Sequence, residues 1–224
     1  MPGVKDFVTA SDIPAGGVNC WAGDLAGVPG SGYDKEKIFF EVNDTIPYVG
    51  AQIGVIVAET WAQALAGARA VKQWYSIASP AVISPKDARR RGLTVSKAQM
   101  ELTQSSGVAE RIARRPASTK KAPLRAAERT SQSLSVQGGL DTPAQIHFQL
   151  ETKSAVAVPT DGDSMELYIS GQYRDLEQSA VATALGIPRS QVNVINTRVG
   201  GGFGGKIIWQ CPTAVAVAVA ANKL

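Results

Sequence analysis

The sequence predicts a mixed, α+β protein, and three stretches carry that prediction. Residues 52–58 (Gln-Ile-Gly-Val-Ile-Val-Ala) form a short apolar run rich in β-branched side chains, the pattern of a buried strand, and a helix-start signal follows at once. Residues 165–170 alternate apolar and polar with period two, and residues 175–185 then change to helical spacing. Near the C-terminus, Arg198-Val199-Gly200-Gly201-Gly202-Phe203-Gly204-Gly205-Lys206 places five glycines between a strand pattern and a helix pattern. So many glycines cost backbone entropy on folding, so the loop needs unusual dihedrals or a backbone that something else can approach closely.

Taken in order, residues 11–34 hold six glycines and two prolines and read as a long irregular loop. After the strand at 52–58, Thr60 and Gln63 have the spacing of a capping box. The Ala-rich stretch to Trp74 suits a helix, with Ala64, Leu65, Ala68 and Val71 on its inner face. Residues 76–83 read as a second strand that Pro80 confines to an edge or a bulge. From Asp87 to about Gln137 large apolar residues are sparse, which reads as a linker with one exposed helical piece at 109–115. Strand patterns return at 146–150, 154–159 and 165–170, with a turn cluster at 160–163. The helix at 175–185 presents Leu176, Ala180, Val181 and Ala184 on one face and stops at Gly186 and Pro188. Residues 191–196 form the strand that enters the glycine loop, and 207–224 form a buried helix with Pro212 in its first turn.

The composition is 44% hydrophobic with mean hydropathy near zero, a globular profile. No apolar run has the length of a membrane span and no secretory signal pattern opens the chain, so the expected setting is cytoplasmic. The two cysteines, Cys20 and Cys211, lack metal-ligand spacing and read as buried or free thiols. The net charge of +4 is local: residues 86–129 hold twelve Lys/Arg against four Asp/Glu. No aromatic side chain is interleaved between Tyr75 and Phe148, so this segment offers bases no stacking platform and no nucleic-acid partner is expected. Lone His147 reads as a strand histidine, and Trp61 and Trp74 as packing residues. Glu151 reads equally well as closing a turn or pairing with an arginine.

The glycine loop imitates two phosphate motifs. Gly200, Gly202 and Gly205 satisfy G-x-G-x-x-G, yet no Asp or Glu follows Glu177 to bind a ribose. Gly200, Gly205 and Lys206 satisfy G-x-x-x-x-G-K, yet Ile207 stands where Ser or Thr would hold Mg²⁺. What survives is a set of bare N–H groups at a helix start, suited to an oxyanion or oxo ligand. Lys206 is a helix-start charge or a contact to a cofactor's phosphate, the second favoured because a cation is unfavourable at that helix end.

The stretch from Gly200 to Lys206 resembles the signature of the molybdenum hydroxylases, the xanthine dehydrogenase and aldehyde oxidase family. Three further segments share the resemblance. Ser170-Gly171-Gln172 is similar to that family's Ser-Thr-Gln at a strand end, and the 31-residue step from Gln172 to Phe203 agrees with its spacing. Residues 145–152 (Gln-Ile-His-Phe-Gln-Leu-Glu-Thr) resemble its Gln-Glu-His-Phe-Tyr-Leu-Glu-Thr, although Ala144 and Ile146 replace the Gly and Glu that flank Gln145's counterpart. Met1 to Val4, Ser11 to Pro14, and Tyr48 to Gly50 through Thr60 look like its α/β hammerhead domain.

The resemblance implies a partial hammerhead domain at residues 1–87, a basic linker at 88–137 and the first part of the molybdopterin-binding domain at 138–224. It implies an oxidoreductase that hydroxylates aldehydes or heteroaromatic, purine-like substrates with water as oxygen source. The cofactor it implies is molybdopterin, with iron–sulfur clusters and FAD expected in domains or subunits outside this chain. The implied partners are the small-molecule substrate and the rest of a homodimeric complex. Gln172, Gly202, Phe203 and Gly204 would bind the cofactor, with Gln172 and Phe203 beside the molybdenum and the Gln172 amide donating to an oxo ligand. Ile207 stands where purine-oxidising members carry Glu, which favours an aldehyde or another heterocycle. The family's catalytic glutamate lies further along its chains, so no catalytic residue is assigned and these residues alone are expected to be inactive. The competing expectation is a non-catalytic module or scaffold that binds phosphate or a nucleotide through the loop.

Overall fold

The computed structural model describes residues 1–28, 33, 36–77, 80–93 and 145–224. Met1–Thr94 and His147–Leu224 form one compact unit, and Val95–Ile146 a second. Of the second, only the exposed Gln145 and Ile146 are described, so the helical piece expected at 109–115 lies outside the described residues.

The first unit mixes helices with two small sheets. Strands β1 (Val4–Val8) and β2 (Val55–Ala58) pair antiparallel, with Val8 opposite Val55. The run read at 52–58 is a strand only over its last four residues. Strand β1 escaped the sequence pattern because Asp6 occupies an inward position, where it pairs with Lys223 at 2.6 Å. Helix α1 (Trp61–Ala70) starts as read, with the Thr60 hydroxyl accepting the Gln63 N–H at 3.3 Å. It ends before Trp74, and Gly67 is its buried residue, packed against the sheet. A Cβ there would stand 2.9 Å from Ile56 Cγ2 and 3.2 Å from Val4 Cγ2. Ala68, expected inside, is exposed, and Val71 caps the helix end. Trp61 and Trp74 are also exposed, contrary to their reading as packing residues.

The strand expected at 76–83 is absent from its described residues, where Pro80 supplies no ladder N–H. A short helix follows instead, α2 (Pro85–Arg90). Ser84 caps it by accepting from the Asp87 N–H at 3.1 Å, proline sits in its first turn, and Asp87 pairs with Arg90 and Arg91 at 2.7 and 3.0 Å.

The second sheet has strand order β3-β4-β5, from β3 (Ala155–Thr160), β4 (Ser164–Ile169) and β5 (Val192–Ile195). Strands β3 and β4 form an antiparallel hairpin around Asp161-Gly162-Asp163, where Gly162 and Asp163 have φ of 71° and 57°. Strands β4 and β5 are parallel, so the chain needs a crossover, which helix α3 (Arg174–Leu185) provides. Its buried stripe contains Leu176, Ala180, Val181 and Ala184 as read. Gly186 closes it in the left-handed conformation at φ 68°. Helix α4 (Cys211–Lys223) begins four residues later than the pattern suggested, with Pro212 in its first turn. It packs on α3 and on strands of both sheets.

The irregular stretch read as a loop at 11–34 is partly interior: among its described residues, those at 20–23 are buried. Trp21 is buried, as are Ile38 and Phe39 just beyond it. Short 3₁₀ turns at Ala10–Asp12 and Gly23–Gly27 shape it. The Asn19 side chain accepts from the N–H groups of Ile38 and Phe39 at 3.1 and 3.0 Å and donates to the Phe39 carbonyl at 2.8 Å. One amide thus satisfies backbone groups that a strand partner would otherwise take. Val18 N–H donates to the Thr183 carbonyl, which fixes the stretch against the end of α3.

Candidate functional site

The parallel pair β4–β5 delivers two chain segments to one end of the second sheet. After β4 comes Ser170-Gly171-Gln172, and after β5 comes the glycine loop. Ligand sites in α/β units gather at such carboxyl ends of parallel strands. A third segment, residues 147–151, runs beside the loop. The strand expected at 146–150 does not form there; the Gln149 side chain donates to the Gly202 carbonyl and the next residue but one, Glu151, donates its N–H to the Gly200 carbonyl.

Gln172 is the hub. Its side-chain carbonyl oxygen accepts from the N–H groups of Gly204 and Lys206, both at 3.1 Å, and its own N–H donates to the Lys206 carbonyl at 3.1 Å. Two backbone donors on one oxygen fix which end of the amide is oxygen. The Nε2 group makes no hydrogen bond among the described residues, and the residue is exposed. The close fit requires Gly202 to be bare, since a Cβ there would lie 2.4 Å from Gln172 Cδ. Gln149 adds a second tie, its Nε2 donating to the Gly202 carbonyl at 2.9 Å.

Beneath the loop lies an ionic knot. Lys206 is 0% exposed, and its ammonium donates to Glu151 Oε2 and to Ser170 Oγ, each at 3.0 Å. Glu151 Oε2 also accepts from the Ser170 hydroxyl and, at 2.6 Å, from the Gly200 N–H. Together these hold the Glu151 carboxyl well below its usual range, at about 2, with the Ser170 hydroxyl contributing most, then the Gly200 N–H, then Lys206. Lys206 therefore neither starts a helix nor faces outward toward a phosphate. Glu151 pairs with this lysine and two loop-side donors, not with an arginine. His147 is an exposed loop residue packed on the glycines, since a Cβ on Gly205 would lie 2.7 Å from its Cγ.

The loop's N–H groups are largely committed. Gly200 donates to Glu151, Gly204 and Lys206 to Gln172, Gly205 to the Gly202 carbonyl and Ile207 to the Gly204 carbonyl. Among the described residues, the N–H groups of Gly201, Gly202 and Phe203 make no such bond. The helix start at Cys211 lies beyond this loop, so the anion cradle read at a helix N-terminus is not what forms. Phe203 takes φ 53° and stands 70% exposed at the tip, while Gly201 and Gly204 have φ of 96° and 85°. Ile207, just after the loop, is 40% exposed. The structure thus joins Gln172, Gly202 and Gly204 by contact and carries Phe203 on the same loop. Gln149 was missed, although its place in the 145–152 motif was available as a signal. Among the described residues no group of three His, Cys, Asp or Glu could hold a metal ion, and no helix is long and apolar enough to cross a membrane.

This arrangement of crossover, strand-end glutamine and pinned glycine loop falls within a known domain class, for the model of the molybdopterin cofactor-binding domain matches residues 109–224. The chain belongs to the molybdenum hydroxylase family. It is 32% identical over 223 residues to the indole-3-acetaldehyde oxidase of Zea mays, covering 99% of this chain and 15% of that protein. It is 33% identical over 228 residues to the xanthine dehydrogenase/oxidase of Rattus norvegicus, covering 100% of this chain and 14% of that protein. Over 81 residues, 36% of this chain, it is 46% identical to aldehyde oxidase 4 of Arabidopsis thaliana. The chain therefore spans about 15% of the length of the relatives it matches.

Proposed function

We propose that this chain supplies one wall of a molybdopterin site in an oxidoreductase that hydroxylates aldehydes or related heterocycles with water as oxygen source. The observation that carries the reading is Gln172, whose carbonyl oxygen is pinned by two loop N–H groups so that its Nε2 faces outward as a neutral donor. A neutral donor suits an oxo ligand because it stabilises charge there without adding any. Gly202 keeps the approach bare, and Phe203 and Gly204 line the same edge. The bound cofactor would supply the redox chemistry, and this chain's residues orient it and shape the neighbouring space. Ile207, half-exposed beside the loop, offers no carboxylate to a purine, which favours an aldehyde. Residues 1–87 are read as part of a hammerhead domain and 138–224 as the start of the cofactor domain. The iron–sulfur and flavin centres, and a homodimeric assembly, are assigned to the remainder of such an enzyme.

A chimera tests this reading: residues 145–224 replace the matching segment of the maize relative. The expected result is retention of molybdenum and aldehyde oxidation with a dye acceptor, with turnover falling at least about tenfold in Gln172→Ala, the loss of one charge-stabilising donor. A chimera that oxidises aldehyde equally well with Gln172→Ala would overturn it.

A further inference from the structure

Glu177 sits in the first turn of α3, is 0% exposed, and neither carboxyl oxygen has a hydrogen-bond partner among the described residues. Its Oε1 occupies the space that a side chain on Gly171 would take, for a Cβ there would lie 1.5 Å away. The carboxyl group is thus wedged directly behind the turn from Ser170 to Gln172. That turn holds the glycine loop through three groups: Ser170 Oγ accepts from the Lys206 ammonium, the Gln172 side-chain carbonyl oxygen accepts from the N–H groups of Gly204 and Lys206, and the Gln172 backbone N–H donates to the Lys206 carbonyl. Asn196, just after β5, holds the Gly171 carbonyl from the front.

An ionised carboxylate cannot stay in this place without a donor, whereas the uncharged acid can. We propose that Glu177 is a positioning residue: as the neutral acid it backs the Ser170–Gln172 turn, and on losing its proton to solvent it draws water behind Gly171 and slackens Gln172's hold on the loop. The surroundings agree. Burial pushes the Glu177 carboxyl up to about 7, while Arg174 on the same helix pulls slightly the other way. Among the described residues, the Cys211 thiol at the start of α4 also interacts with it, and that thiol is pushed up to about 12 by burial and then by Glu177, so it stays neutral. The turn itself brings no titratable group, and Lys206, which contacts Ser170, is paired with Glu151.

This inference concerns how the loop is held, and it stands whether or not the loop faces a cofactor. The test is amide hydrogen exchange of the 224-residue chain at pH 6 and pH 8.5, corrected for intrinsic base catalysis. The N–H groups of Gly204 and Lys206 are expected to exchange at least tenfold faster at the higher pH, while those in the middle of α4 do not change. In Glu177→Gln, which keeps the shape without the charge, that rise disappears. An equal rise in both proteins, or none in the wild type, overturns the proposal. A second measurement covers a variant that fails to fold: carbon-13 titration of the wild-type glutamate carboxyls must show one midpoint near 7, and a full set near 4.5 overturns the proposal equally.

Discussion

At the scale of single residues, the knot of Glu151, Ser170 and Lys206 makes an asymmetric prediction. Glu151→Ala strands a fully buried ammonium, whereas Lys206→Met leaves a carboxylate that solvent can reach. The alanine variant should therefore have the lower Tm of the two, measured by calorimetry at neutral pH, and equal Tm values would contradict the burial of Lys206. The same group sets an acid limit. Its folded-state pKa is depressed from 4.5 to about 2, so the native state binds fewer protons than the unfolded chain across that window. Its stabilisation is complete above about 4.5 and declines as pH falls through about 2, and Glu151→Gln should flatten the stability curve there. Glu177 acts in the opposite sense. Its pKa is raised from 4.5 to about 7, so it weakens the native state as pH rises through that interval. Glu177 was legible in principle: it falls on the stripe with Ala180, Val181 and Ala184, and a charged residue at a core position of a helical pattern marks an anomaly. Gln172 and the glycines were legible as a motif, but not the direction of the amide, which depends on two N–H groups more than thirty positions away.

At the scale of elements, the parts that sequence periodicity found are those whose stability is local. The β3–β4 hairpin, α3 with its glycine stop, and β5 follow from alternation, a helical stripe and turn chemistry. The failures share a different cause. Strand β1 was hidden by an inward Asp6 whose partner, Lys223, comes from the last helix. The segments at 76–83 and 146–150 had strand composition, yet their described residues find no ladder partner among the described residues, and β-propensity describes fit to a sheet rather than a preference of the chain alone. The residues around Trp21 and Phe39 lacked any period because their backbone groups are satisfied irregularly, those of Ile38 and Phe39 by the Asn19 side chain and the Trp21 N–H by the Glu36 carbonyl. The centre of the second sheet is Leu167, fully buried in the middle strand β4. Leu167→Ala should cost about 2–5 kcal/mol through lost burial and a residual cavity, read as a shift in the denaturant midpoint. A change of less than about 1 kcal/mol would mean that β4 is not the packed centre.

At the scale of the whole molecule, the compact unit is closed by contacts between its early and late residues, among them Lys223 with Asp6 and Asp12 at 2.6 and 2.9 Å. Val18 bonds the end of α3, and Trp21, Ile38 and Phe39 are buried in the same unit. A reading by consecutive segments could name the family, since motifs are short and ordered, but it could not foresee this closure, which joins residues about two hundred positions apart. The glycine loop has a final consequence. Because Gly204 and Lys206 hold the oxygen end of Gln172, the loop fixes the polarity of that side chain as well as its place. Gln172→Glu is then nearly a change of sign at constant shape: one carboxylate oxygen keeps both loop N–H groups, and the other presents a charged acceptor where a neutral donor stood. In the maize chimera this variant should lose more turnover than Gln172→Ala, which removes the donor without opposing it. The reverse order would mean that the outward face of residue 172 meets a donor and not an oxo group.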